Sequence, residues 1–115
     1  MDVQLTKDAE YLICSIYSKY LEKRKSGINK EDAKRVGGSE EIHKTLMQEW
    51  SFEDVDETCW ELNRVGMLHC VSADDIAYYS TLTDAAIIYM ENRFGNKLDA
   101  VLDRIAKIKS LIPFL

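Results

Sequence analysis

The sequence has one proline, Pro113, close to its end, so almost nothing along the chain is set to break a helix. It also lacks a long apolar run. The longest, Ala85-Ala86-Ile87-Ile88-Tyr89-Met90, falls far short of the roughly 20 residues a membrane-spanning helix needs. The first ten residues, MDVQLTKDAE, have neither a basic stretch nor an apolar core, so no secretory signal is expected and the location is read as cytoplasmic. Cysteines are few and odd in number. Cys14, Cys59 and Cys70 are far apart, which argues against a disulfide framework and for a reducing compartment.

Chemistry-bearing patterns are scarce as well. There is no glycine-rich phosphate loop, and Gly37-Gly38 reads as a helix stop. The two histidines, His43 and His69, fall in different predicted elements. His69 and Cys70 are neighbours on a predicted strand, so they point to opposite faces and suit joint metal binding poorly. Cys14 and Cys59 sit on apolar stripes, where a thiol is core filler. We expect a non-enzymatic protein with no cofactor and no metal.

What the sequence does contain is helical periodicity with clear ends. Thr6 is placed to cap a first helix reaching Lys25, with Leu5, Ala9, Leu12, Ile16 and Tyr20 along its buried side. Ser26-Gly27 stops it, and Ile28 is expected to make a one-residue excursion into a small sheet. Asn29 and Asp32 form a capping box for a short helix ending at Gly37-Gly38. Ser39 starts another, SEEIHKTLMQEW, with Ile42, Leu46 and Met47 on one side.

Ser51, with Asp54 three residues on, caps the stretch SFEDVDETCWELNRVGML, and Trp50 and Val55 stand where a hydrophobic staple would close. Phe52, Val55, Cys59, Leu62 and Val65 make its apolar stripe, and Gly66 ends it. MLHCVS and IAYYSTL, separated by Ala73-Asp74-Asp75, read as a hairpin. Thr83 caps a further helix with Leu82 and Ile87 as staple; Gly95 closes it, and a last helix runs from Asn96 to about Ile112.

Several of these pieces resemble a winged helix-turn-helix domain. Ala33-Lys34-Arg35-Val36-Gly37 is similar to its second helix. Val55, Cys59, Leu62 and Val65 through Gly66-Met67-Leu68 are similar to its third helix entering the wing, and Tyr78-Tyr79-Ser80-Thr81-Leu82-Thr83 to the returning wing strand. The ending LTDAAIIYMENRF resembles YjcQ-like small bacterial winged-helix proteins. The resemblance implies a mainly α fold with a small β-hairpin wing. Residues 1–95 would form the winged-helix domain, with an inserted helix at about 39–50 and the wing at about 67–82; residues 96–115 would be a C-terminal helical extension for packing or dimerisation. It also implies transcriptional regulation through DNA, with the third helix as reader.

The charge distribution conflicts with that use. Residues 1–50 hold nine basic and nine acidic residues, and residues 83–115 five and four. Residues 51–82 hold Glu53, Asp54, Asp56, Glu57, Glu61, Asp74 and Asp75 against Arg64 alone, a net of −6 within a chain of −5. At 100° per residue, Glu53, Glu57, Trp60, Glu61 and Arg64 gather opposite the apolar stripe. Duplex DNA carries a phosphate charge every ~1.7 Å of axis and is bound mainly through Lys and Arg. This face is therefore expected to meet a protein, with Trp60 as anchor unless the inserted helix covers it.

The alternative is DNA binding through Lys23, Arg24, Lys25, Lys30, Lys34 and Arg35, which otherwise form an ordinary solvated surface with Glu22, Glu31 and Asp32 among them. Acidic DNA mimicry finds thin support in one helix and a hairpin tip. Leu98, Val101, Ile105, Ile108 and Ile112 form a seam in the last helix that suits either docking on the domain or pairing with a second copy; a homodimer is expected.

Overall fold

Local capping chemistry sets where the helices begin. In the computed structural model, which describes residues 3–113, Thr6 accepts a hydrogen bond from the Ala9 amide and opens α1 (Lys7–Lys25). Asn29 does the same from Asp32 for the one-turn α2 (Lys30–Ala33), Ser51 from Asp54 for α4 (Phe52–Arg64), and Thr83 from Ala86 for α5 (Asp84–Phe94). Each side-chain oxygen satisfies an amide that the first helical turn leaves unpaired. Between them lies α3 (Ser39–Thr45), and α6 (Leu98–Ser110) completes the helices. β1 (Leu68–Ala73) and β2 (Ile76–Leu82) pair antiparallel as a hairpin between α4 and α5. The fold is mainly helical with one two-stranded hairpin. Among the described residues no helix is long and apolar enough to cross a membrane. The outermost positions of the two predicted regions, 1–2 and 114–115, lie outside the described residues.

Three boundaries depart from the sequence reading. Residues 34–37 do not continue α2. Arg35 bridges Thr81 of β2, the Val36 amide donates to Ser80 O (3.1 Å), and Lys34 O accepts from the Leu82 amide (2.8 Å). The open edge of β2 thus takes the backbone groups a second helical turn would have used, and α2, with only Ala33 buried, has no apolar stripe to compete. The strand-like excursion consequently falls at Arg35 and not at Ile28, which is exposed.

The helix expected over 39–50 stops at Thr45. The Met47 amide reaches back to Ile42 O (3.1 Å), closing the last turn, and the turn that follows sends both Met47 and Trp50 into the core. Trp50 packs on Tyr11 of α1 with ring centroids 4.8 Å apart.

The core lies between α1 and everything else. Leu12, Ile13, Tyr17 and Cys14 of α1 are fully buried, with Val55, Cys59 and Leu62 of α4, Leu68 and Leu82 of the hairpin, and Met90 of α5. α6 lies along α1. Its Val101 and Ile108, with Ile112 just beyond its end, are buried in this same core, and Leu98 and Ile105 are half-buried against it. Of the two uses open to that seam, docking on α1 is the one seen here.

At the hairpin tip Asp74 and Asp75 have φ of 54° and 63°. Two successive left-handed residues are what a tight primed turn demands, and aspartate tolerates them better than most side chains. Replacing Asp75 with glycine should raise stability slightly, by less than about 1 kcal/mol, because the remaining left-handed cost disappears. A thermal melt that falls instead of rising would show the aspartate side chain to be the stabilising group.

Candidate functional site

Periodicity gives α4 two sides, and the structure assigns a partner to each. Val55, Thr58, Cys59 and Leu62 face the core. Two polar side chains on the hairpin side pin the strands: the Ala77 amide donates to Asp56 Oδ1 (2.8 Å) and the Cys70 amide to Asn63 Oδ1 (2.9 Å). Toward α1, Glu61 accepts from both the Thr6 amide (3.0 Å) and the Thr6 hydroxyl (2.8 Å). Glu61 therefore secures the chain where α1 begins, and its carboxylate also lies close to the positive end of that helix.

The predicted interaction residues thus divide. Glu53, Glu57 and Arg64 are exposed on the outward face. Trp60 lies between them in the helical repeat; it is half-buried and packs against the core at its inner edge, neither fully free nor fully covered. Arg64, the only cation of the segment, donates to Glu57 Oε1 at 2.7 Å. Glu61 is drawn away to Thr6. Glu53 and Asp54 have no ion-pair partner among the described residues, so the outward face remains net negative after its internal pairing. Asp74 and Asp75 add to it from the exposed hairpin tip.

The basic residues of the alternative reading are brought near one another, and most of them make a hydrogen bond or an exposed ion pair. Lys23 Nζ donates to Arg35 O (2.8 Å) and an Arg24 guanidinium N–H to Ile28 O (3.2 Å). Lys34 and Lys30 both approach Asp84, at 3.1 and 3.9 Å, and the hydrogen bond from Lys34 with the charges of both lysines holds that carboxyl below its usual range. Arg35 pairs with Asp32 at 3.5 Å. Lys25 is exposed at the end of α1, where its charge suits the helix C-terminus.

Burial raises the thiols, Cys14 to about 11 and Cys59 to about 12, and Cys70 in the same direction. These are protonated thiols packed as apolar groups. Among the described residues no cluster of three or more His, Cys, Asp or Glu side chains is arranged to hold a metal ion.

Sequence reasoning placed Glu61 on the free face and gave Asp56 no role. Their partners are 55 and 21 residues away, and no local spacing signals either contact. No family model, curated protein or solved structure matches this chain.

Proposed function

We propose that the chain is a winged helix-turn-helix module that contacts a protein through the outward face of α4, and that it is not a reader of DNA. In this reading α1, α3 and α4 are the three helices, the bridge at Arg35 is the short first strand, and β1 with β2 is the wing. That order supports the assignment and revises the one suggested by sequence. α3 takes the place of the second helix and is no insertion, while α2 belongs to the connection before it. Six residues, 46–51, then join the two helices of the helix-turn-helix.

One observation carries the functional half: the face of α4 that would enter a major groove presents Glu53, Glu57 and Trp60, with Arg64 already tied to Glu57. Set between two walls of phosphate, such a face is repelled, and the wing tip with Asp74 and Asp75 adds to the repulsion. A basic protein surface with an apolar recess for the indole is its natural complement.

Exchanging Trp60→Ala together with Glu57→Lys should abolish capture of the partner from extracts of the cells that make this protein. An anchoring tryptophan is typically worth about 2 kcal/mol or more. Both side chains lie outside the buried core, so circular dichroism should be unchanged. Equal capture by both proteins would refute the α4 face. In parallel, fluorescence anisotropy with genomic duplex fragments should show no binding at physiological salt. Tight, steeply salt-dependent binding lost on neutralising Lys34 and Arg35 would establish the alternative instead.

A further inference from the structure

A half-open groove of roughly 350 Å³ lies between α1, the segment after α2, and α3. Its floor is apolar: Ile16 and Ala33 are buried, and Val36 and Leu46 are half-buried at its sides. Three cations, Lys19, Lys23 and Arg35, stand in the lining against one carboxylate, Glu41. In a chain of net charge −5 this is a local reversal of sign.

The cations are positioned but not consumed. Lys23 spends one proton on Arg35 O, which holds its ammonium group at the groove and leaves two protons to donate. Lys19 and Arg35 pair with Glu22 and Asp32 at 3.4 and 3.5 Å, between side chains that are about half exposed, and neither acid is part of the lining. Such exposed pairs are weak and readily exchanged.

We propose that this groove binds a small amphipathic monoanion, an alkyl or aryl carboxylate. Its apolar body would lie on Ile16, Ala33, Val36 and Leu46, and its carboxylate would face Lys19, Lys23 and Arg35. The volume falls within the range of ligand pockets, about 300–1,000 Å³, and so does the combination of apolar walls with a few converging charges. Charge complementarity selects the anion and the floor selects the apolar body; a nucleic acid backbone would satisfy only the first. The groove shares no residue with the outward face of α4, so this proposal stands whether or not that face binds a protein. An occupant would also bridge α1 and α3 across the segment that pairs with β2.

The test is a titration of the nitrogen-15-labelled chain with octanoate, using octanol as the uncharged counterpart. Saturable amide shifts should concentrate around Ile16, Ala33, Val36 and Leu46, with octanol binding clearly weaker. Lys19→Gln combined with Arg35→Gln should weaken octanoate about tenfold and leave octanol unaffected. Both substitutions are at exposed side chains, and the spectrum of the free variant verifies its fold. Leu46→Trp, which fills the groove, should block both ligands. The proposal is overturned by the absence of saturable shifts up to millimolar octanoate, or by equal affinity for octanol. Shifts centred on the separate cavity beside Ile88 and Tyr89 would overturn it equally, as would unchanged octanoate binding by the doubly neutralised protein.

Discussion

Replacing Glu10 with alanine should cost the fold about 3 kcal/mol, read as a lowered urea midpoint with the slope preserved. Glu10 is only 7% exposed, near the start of α1, yet it accepts from Arg93 of α5 at 2.5 Å and from two nitrogens of Arg104 of α6 at 2.8 and 2.9 Å. One carboxylate thus joins three helices. Removing it leaves two guanidinium groups facing each other without an anion. The figure belongs near the low end for buried pairs, since Arg93 and Arg104 are a quarter to a third exposed and can recruit water. Arg104→Met should cost less, because Glu10 retains Arg93.

The same group gives a pH signature. Burial alone would raise the Glu10 carboxyl, but the hydrogen bonds and charges of Arg93 and Arg104 outweigh it and hold the group below its ordinary value of 4.5. A lowered folded-state value means the unfolded chain binds the proton more readily. The stabilisation is therefore complete above about pH 4.5 and drains away as pH falls through the lower folded-state value. Glu10→Ala should lose stability less steeply than the wild type in that acid window. Identical acid slopes would show that the three-helix junction contributes nothing.

That junction also marks where the sequence stops being legible. Glu10 lies 83 and 94 residues from its partners, and no spacing rule reaches that far. What was legible was local. The caps at Thr6, Asn29, Ser51 and Thr83 each depend on an amide three residues ahead, and the stop at Gly66 on a φ of 82° that few other residues accept. The α4 stripe was legible from its period. Errors arose where a distant surface decided between two acceptable local outcomes. Lys34-Arg35-Val36 can extend a helix until the edge of β2 offers its backbone groups a partner. SEEIHKTLMQEW reads as one helix until burying Met47 and Trp50 together requires a turn. The seam of α6 has one pattern for docking and for pairing, and only the apolar side of α1 decides between them.

Gly38→Ala should be at least as damaging as the loss of Glu10, costing about 3 kcal/mol or more. Read in sequence, Gly37-Gly38 is a helix stop; in the structure Gly38 is a crossing point. Its φ of −95° is open to any residue, so the need for glycine there is spatial. A Cβ would fall on the carbonyl oxygen of Tyr78, with the Tyr78 carbonyl carbon at 2.7 Å and Ala77 O at 2.9 Å. These are backbone atoms of β2, which no rotamer change can move aside. Relief would require parting α3 from β2, and with it the bond from the Ser39 hydroxyl to Ala77 O (3.2 Å) and the pairing of Val36 with Ser80.

Gly66→Ala is the control. Its φ is 82° and a Cβ would meet nothing within 4 Å, so its cost is conformational alone, on the order of 1 kcal/mol. Chemical denaturation of the two variants should therefore separate them by about 2 kcal/mol, in the order opposite to that expected from φ alone. Equal losses would mean that the approach of α3 to the hairpin is soft. The consequence would reach beyond stability, because the placement of α3 on β2 helps set how the outward face of α4 sits beside the hairpin.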